Sequence, residues 1–235
     1  MSSNSFSERI IAETDEIIAW DKPPGLLTSG QSLKDPDCAQ YEAMEYADGM
    51  VWVLHQLDRD TSGVLLFAKK KRVVSKWQKI WDSWAIEKFY MALVHGRLKE
   101  SPMIIDAPIR RLGRSGYTEV SIDEEGKPAK TRVVELSAAK NYSLVLARGL
   151  TGRTHQIRVH LQHVGCPLIG EEKYNSIPCG YHDRHALHAL AIATDNPPPL
   201  DLIEAPFPED LTRVADRIDI DLSVMQRWTE FTTVL

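Results

Sequence analysis

Short apolar runs, many of them rich in β-branched residues, recur along this 235-residue chain and are separated by polar connections. Runs bounded in this way are typical of β-strands. The pattern predicts strands at residues 10–13, 16–22, 51–54, 64–68, 87–95, 117–122, 131–136 and 142–147, and a further apolar run covers residues 186–193. The short connections between the three strands within residues 117–147 predict antiparallel neighbours.

Other segments carry apolar residues at helical spacing. A helix is predicted over residues 72–84, because one face of it would consist of Val73, Trp77, Ile80, Trp81 and Trp84. Tryptophans on such a face belong to the hydrophobic core rather than to a base-stacking surface. Shorter helices are predicted at residues 38–47 and 208–218. Because we find no internal repeat and no linker, the elements predict one α+β domain over residues 1–235.

The segment 151–165 combines helical periodicity with charge. On a helical projection its apolar face consists of Ile157, Leu161 and Val164. Another face carries His155, Arg158 and Gln162. Gly165 suits the end of the helix. Arg158 is therefore not restricted to a solvent-facing position.

The two apolar runs at 51–54 and 64–68 predict buried strands, and nine residues of a different character separate them, HQLDRDTSG at 55–63. This insert is too long for a tight hairpin and too charged to be buried for packing. A loop held between two core strands is a rigid platform for chemistry, and its reactive groups are Asp58, Arg59 and Asp60. The alternative is a solvated loop tip.

Composition narrows the class of protein. With 43% hydrophobic and 26% charged residues the chain is an ordinary folded one. It lacks an apolar run of about 20 residues that could span a bilayer, and its first residues lack the apolar core of a signal peptide. We therefore expect a cytoplasmic protein without membrane contact. The three cysteines have no spacing typical of zinc or redox motifs, and we expect buried thiols at Cys38, Cys166 and Cys179.

The net charge of −5 is unevenly distributed. Residues 126–168 contain seven lysines and arginines against one acid, whereas residues from 195 onward contain nine acids against three arginines. A local positive surface matters more to a polyanion than the total charge does. The basic residues expected to contact phosphate are Lys127, Lys130, Arg148 and Arg153.

Several kinds of chemistry fit the sequence poorly. It has no GxGxxG or GxxxxGK[ST] motif, so the usual phosphate cradle of nucleotide cofactors is missing. Asp58 and Asp60 resemble the DxDx[TV] motif of Mg²⁺-dependent phosphohydrolases, but Ser62 stands where Thr or Val is required. Ser62 also lacks the GxSxG setting of a hydrolase nucleophile. A metal site at His182, His185 and His188 would lack a completing carboxylate or cysteine.

Three longer segments carry a family resemblance. The sequences HQLDRDTSGVLLFAKK (55–70), KFYMALVHG (88–96) and GLTGRTHQIRVHLQHVGCPLIGEEKY (149–174) resemble the three motifs of the RluA-type RNA pseudouridine synthases. KPPG (22–25), KPAKT (127–131) and LHA (187–189) occur in the expected order around them. The resemblance implies an α+β fold with a mixed, mostly antiparallel central sheet and flanking helices. It also implies isomerisation of a uridine to pseudouridine in ribosomal or transfer RNA, without cofactor or metal.

The resemblance assigns roles to individual residues. Asp58 corresponds to the catalytic aspartate, which attacks covalently or removes a sugar proton. Arg158 corresponds to the arginine that keeps this carboxylate ionised, and Tyr90 to the aromatic residue that stacks on uracil and serves as the later base at C5. The expected substrate-binding residues are His55, Gln56, Arg59, Thr61, Lys130, Arg148, Arg153, His155, Gln156 and Ile157.

The chain departs from the family pattern in two places. Gln56 stands where the family usually has an arginine that helps to extrude the target base. About twenty residues precede Lys22, so we expect no S4-like RNA-binding domain before the catalytic domain. Separately, we expect a monomer. The alternatives are the Mg²⁺-dependent phosphohydrolase and a catalytically silent RNA-binding module on the same fold.

Overall fold

The apolar runs of the sequence form most of the strands. A computed structural model describes residues 6–33, 35–82, 86–112, 119–175, 182–195 and 200–235. Its strands are β1 (Ile10–Glu13), β2 (Ile17–Lys22), β3 (Trp52–Val53), β4 (Ser62–Ala68), β5 (Ile86–His95), β6 (Met103–Asp106), β7 (Ile109–Leu112), β8 (Glu119–Ile122), β9 (Lys130–Ala139), β10 (Tyr142–Gly149), β11 (Leu187–Thr194) and β12 (Leu202–Glu204).

The α-helices are α1 (Ala39–Tyr46), α2 (Lys71–Asp82), α3 (Gln156–His163) and α4 (Glu209–Arg217), and 3₁₀-helices cover Phe6–Arg9 and Ser223–Val234. In the described part of the chain no helix is long and apolar enough to cross a membrane. The chain forms two compact units, one of residues 1–88 and 189–207 and the other of residues 89–188 and 208–235.

In the first unit β2 lies between β1 and β4, and both pairings are antiparallel. All seven residues of β4 are buried, as expected for a continuous apolar run. One face of β2 and β4 packs on α2 through Ile17, Ala19, Val64, Leu66, Val73 and Trp77. The charged loop is therefore joined directly to β4, a strand of the packed core.

In the second unit β10 lies between β5 and β9, and β6 pairs with the other edge of β9, all antiparallel. β7 and β8 form a separate antiparallel pair. Helix α3 packs on this unit through Ile157 and Leu161, which join a core cluster with Val94, Val145, Ala147 and Leu168. The periodicity that predicted a helix in the segment 151–165 is thus confirmed over Gln156–His163.

The α+β class with a mixed, mostly antiparallel sheet and flanking helices is confirmed. Two details differ from the sequence pattern. The run 51–54 forms only the two-residue strand β3, whose side chains are half-buried. β3 pairs with β4 at two positions, Phe67 and Ala68. Ser62 and Gly63 belong to β4 rather than to the preceding loop. Some of the predicted positions lie outside the described residues: Trp84, residues 117–118 and Cys179. Cys38 and Cys166 are buried free thiols, as predicted.

Gly63 is the second residue of β4, just after the charged loop, and it has a φ of +109°. A Cβ atom there would lie 2.1 Å from the backbone oxygen of Ala189. Only glycine fits this close approach to another backbone. Any residue with a side chain would in addition be strained at this positive φ. Gly25 also has a positive φ, +83°, but a Cβ atom there would meet nothing within 4 Å.

The two glycines give a matched pair of variants. We expect Gly25→Ala to lower the free energy of unfolding by about 1 kcal/mol, from strain alone. Gly63→Ala adds a collision with backbone and should cost about 3 kcal/mol or more. Urea unfolding followed by circular dichroism measures both. Equal losses in the two variants would contradict the close approach of β4 to Ala189.

Candidate active site

The charged loop between β3 and β4 places Asp58 and Asp60 at half-buried positions and Arg59 in solvent. The backbone N–H of Thr61 donates to the Asp58 carbonyl at 3.1 Å and closes a turn around the two carboxylates. Thr61 itself is buried, with 2% of its surface exposed. Ser62 is equally buried, so it does not offer an accessible nucleophile.

Lys22, at the end of β2, fastens this loop to the first unit. Its side chain is fully buried, and its ammonium donates to the carbonyl oxygens of Pro23 at 2.8 Å, Leu26 at 2.9 Å and Arg59 at 2.8 Å. A lysine ammonium has three N–H donors, and a buried charge is tolerated only when such donors are used. The sequence KPPG identified this lysine as part of a motif but gave no indication of its contact with the loop.

Two further residues of the loop are hydrogen-bonded, Leu57 through its backbone and Arg59 through its side chain. The Thr28 hydroxyl donates to the Leu57 carbonyl at 2.8 Å and accepts the Leu57 N–H at 3.0 Å. The Arg59 Nε donates to the Gly25 carbonyl at 3.0 Å. Because the backbone is bonded at Leu57 and again at Arg59, Asp58 is held from both sides.

His55 and Gln56 begin the loop and have different environments. The Nε2 atom of His55 accepts the Leu66 N–H at 3.2 Å, and the ring stacks on Trp81 with centroids 5.0 Å apart. Burial, with a smaller effect from the Lys88 charge, lowers the pKa of His55 to about 3, so the ring is neutral at physiological pH. Gln56 is exposed, and its amide donates to the Ser29 hydroxyl at 3.3 Å.

In the second unit Tyr90 lies half-buried on β5, opposite Ala147 of β10. A Cβ atom on Gly149 would lie 3.8 Å from the Tyr90 ring and 4.0 Å from the Ile157 side chain. Tyr90 and Ile157 therefore converge on the same point of the strand β10. The sequence placed these two residues together only through the family resemblance.

Gln156 fixes the loop that precedes α3. Its side-chain oxygen accepts from the Thr151 hydroxyl at 2.6 Å and the Arg153 N–H at 2.9 Å. Its amide donates to the Lys130 carbonyl at 2.9 Å and the Thr131 hydroxyl at 3.0 Å. Gln156 is buried, and these hydrogen bonds join the loop to β9. Its neighbour His155, at the N-cap of α3, has a left-handed backbone with φ of 51°.

Arg158 is buried in α3 and forms a bidentate ion pair. Its Nε donates to Oε2 of Glu171 at 2.7 Å, and its Nη2 donates to Oε1 at 2.8 Å. The guanidinium also lies over the ring of Tyr174, 5.2 Å from the centroid. Sequence reasoning missed Glu171, although the GEEKY segment that contains it ends the third motif. A charged residue in a loop has no periodicity from which its partner could be inferred.

The basic residues expected to contact phosphate are only partly in solvent. Lys127 and Lys130 are exposed, and Lys130 forms an ion pair with Asp106 at 2.8 Å between two half-exposed side chains. Arg153 is half-buried and its Nε donates to the Pro128 carbonyl at 2.9 Å. Arg148, on β10, is also half-buried. All four lie in the second unit.

His182, His185 and His188 are spaced three residues apart, which would place them on one face of a helix, but His182 does not lie on a helix. It lies in irregular backbone, and its Nε2 lies 3.4 Å from Oδ2 of Asp210. Arg184 makes a bidentate pair with the same carboxylate, at 2.8 and 3.2 Å. Burial opposes ionisation of Asp210, but the contacts with His182 and Arg184 outweigh it and lower the pKa of Asp210.

Comparison with known proteins agrees with the motifs. The profile of the RNA pseudouridylate synthase family matches residues 16–163. A relative from Vibrio parahaemolyticus, ribosomal large subunit pseudouridine synthase C, is 34% identical over 195 residues, which are 80% of this chain and 61% of that protein. The protein of the same name from Vibrio vulnificus is 33% identical over 91% of this chain and 70% of its own length.

Among solved structures, that of human RNA pseudouridylate synthase domain containing 4 superposes with a TM-score of 0.76 at 21% identity, over 92% of this chain and 95% of that one. This likeness concerns the fold. The chain belongs to the RluA-type RNA pseudouridylate synthase family, and the resemblance seen in its motifs is confirmed. The matched part of the chain spans about three fifths of the length of the first of these relatives.

Replacing Lys22 tests how the loop is held. We expect Lys22→Met, which keeps the side-chain volume but leaves three carbonyls without their donor, to lower the free energy of unfolding by about 3 kcal/mol or more. Amide hydrogen exchange over residues 57–61 should also accelerate.

The matched control is Lys69→Met in the same unit, where the half-buried ammonium pairs with Glu13 at 2.7 Å. Such a pair contributes less than about 1 kcal/mol. Similar losses of stability in the two variants, or unchanged exchange in the loop, would show that Lys22 does not hold it.

Proposed function

We propose that this protein isomerises a uridine in RNA to pseudouridine, with Asp58 as the catalytic carboxylate. The observation that carries the proposal is the placement of Asp58: the family's aspartate position coincides with a half-buried carboxylate whose backbone is bonded on both sides. A rigidly held group is what positioning of a reactive carboxylate at a sugar requires.

The reaction needs no net oxidant, reductant or hydrolytic water. The bond between C1′ of the ribose and N1 of uracil breaks, a bond from C1′ to C5 forms, the proton on C5 leaves and N1 gains a proton. Asp58 either attacks C1′ or removes a sugar proton, and both routes remain within the proposal. Tyr90 stacks on the base and accepts the C5 proton, with Ile157 beside it, and Arg158 keeps the catalytic carboxylate ionised. No cofactor or metal is assigned a role.

The substrate in this proposal is ribosomal RNA, with transfer RNA as the second class. The names of the Vibrio relatives, which refer to the large ribosomal subunit, support the first. Lys127, Lys130, Arg148 and Arg153 contact phosphates, and the loop residues His55, Gln56, Arg59 and Thr61 and the α3 residues His155 and Gln156 shape the site around the uridine. In this proposal residues 1–235 act as one catalytic domain, and the protein works as a monomer in the cytoplasm.

Asp58→Asn tests the assignment of the carboxylate. The variant keeps size and shape, so we expect it to fold and bind RNA while forming no pseudouridine above background, a loss of at least about 10³-fold. The measurement is release of tritium from RNA labelled at C5 of uridine, with RNA affinity measured in parallel.

Asp60→Asn is the matched control for Asp58, since it removes the other half-buried carboxylate of the same loop and should retain turnover. Turnover by Asp58→Asn would refute its catalytic role. Release of phosphate that requires Mg²⁺ and is lost in Asp60→Asn would favour the phosphohydrolase instead.

Gln56→Arg tests how the base is extruded. Removing a uridine from a stacked or paired strand costs a few kcal/mol, least where it is already unpaired. An arginine would offset part of this cost by filling the gap and contacting phosphate, whereas the exposed Gln56 offers hydrogen bonds alone. We therefore expect the wild type to prefer a uridine in an open loop over one in a stem more strongly than Gln56→Arg does. Single-turnover rates on matched loop and stem RNAs measure this preference, and an unchanged ratio would refute the idea.

A further inference from the structure

The ion pair between Arg158 and Glu171 is deeply buried: 9% of the arginine side chain and 1% of the glutamate side chain are exposed. Both carboxylate oxygens accept from the guanidinium, and Oε1 also accepts the Lys173 N–H at 3.0 Å. Nε and Nη2 lie on one edge of the planar guanidinium. A carboxylate that takes both of them fixes the plane and the direction of the whole group.

Glu171 is itself held firmly by the second unit. The segment before it runs along β5, with a bridge between Leu168 and Val94 and a bond from the Ile169 N–H to the Leu93 carbonyl at 2.9 Å. At Gly170 a Cβ atom would lie 2.0 Å from the backbone oxygen of Arg184, so the chain passes this point in close contact. The glutamate is therefore tied to the strand that also carries Tyr90.

Tyr174 completes the environment of the arginine. Its ring lies under the guanidinium at 5.2 Å, and its hydroxyl is hydrogen-bonded to Nδ1 of His155, the N-cap residue of α3. Arg158 is thus bonded along one edge and packed against one face. Both contacts come from residues beyond the family profile, which ends at residue 163.

Stability alone explains this arrangement poorly. Burying two charges costs several kcal/mol in desolvation, and apolar residues of the same volume often stabilise a fold as well or better. A fixed guanidinium, by contrast, has a use in catalysis, because its direction decides how well it serves a reacting carboxylate.

We propose that Glu171 is a positioning residue that orients Arg158 for the isomerisation, with Tyr174 supporting the same orientation. The inference rests on the proposed function of this site. Glu171 makes no contact with substrate in this proposal and acts only through the arginine.

The test compares Glu171→Gln and Glu171→Asp with the wild type in single-turnover isomerisation of a substrate RNA. Glu171→Gln removes the charge and turns one acceptor into a donor that faces the guanidinium. We expect its rate to fall about 10–100-fold, as for a misplaced catalytic group, with RNA affinity within about twofold of wild type. Glu171→Asp keeps the charge on a shorter side chain, so its rate should lie between that of the wild type and that of Glu171→Gln.

A double-mutant cycle with Arg158→Lys separates action through the arginine from an independent effect. If Glu171 acts through Arg158, Glu171→Gln should change the rate little in the Arg158→Lys background. Losses that simply multiply would overturn the proposal. So would a wild-type rate in Glu171→Gln or, should that variant not fold, in Glu171→Asp.

Asp210→Asn provides the matched structural control, since it breaks a second bidentate pair of the same unit, between the half-buried Asp210 and the buried Arg184. It should lower stability but leave the single-turnover rate of the folded protein unchanged. Equal slowing in Asp210→Asn would mean that general loosening, not positioning, explains the effect. A wild type that forms no pseudouridine would refute the proposed function and this inference together, whereas an active wild type with a fully active Glu171→Gln variant would refute the inference alone.

Discussion

A buried ammonium group is the constraint on which the charged loop depends. Lys22 has no exposed surface, and three backbone carbonyls accept hydrogen bonds from its ammonium, which offsets the cost of burying the charge. Two of these carbonyls belong to the turn after β2 and the third to Arg59. The turn and the loop must therefore form together, and the position of Asp58 follows from that.

The second unit uses the same physical device. The guanidinium of Arg158 is buried against Glu171, and the amide of Gln156 uses both its oxygen and its nitrogen within the protein. In each case a polar group is removed from water and satisfied by several partners, so that only one arrangement is favourable. Asp58 and Arg158, to which the family resemblance assigns catalytic roles, are thus held by buried polar contacts.

The sequence predicted the regular part of the fold well, because its strands are continuous apolar runs or alternate strictly. It did not predict β6 and β7, since Met103–Asp106 and Ile109–Leu112 are four residues each and half of their side chains or more face solvent. The roles of Asp58, in the first motif, and of Tyr90, in the second, could be inferred only from the family resemblance.

The buried contacts were beyond sequence reasoning for a physical reason. Lys22 and Glu171 are charged residues in or next to loops, where composition predicts solvent exposure. Their partners, Arg59 and Arg158, are separated from them by 37 and 13 positions, and nothing in the spacing of charges indicates which pairs meet. Burial of a charge becomes visible only when the surrounding backbone is in place.

The central claim, isomerisation of uridine by this chain without a cofactor, can be tested by nucleoside mass spectrometry. Ribosomal and transfer RNA from cells that lack the gene would be incubated with the purified protein in excess EDTA, then digested and quantified. We expect pseudouridine to appear in the amount in which uridine disappears, at unchanged RNA mass and with no phosphate released. Absence of pseudouridine, release of phosphate, or a requirement for Mg²⁺ that refolding of the RNA does not explain would contradict it.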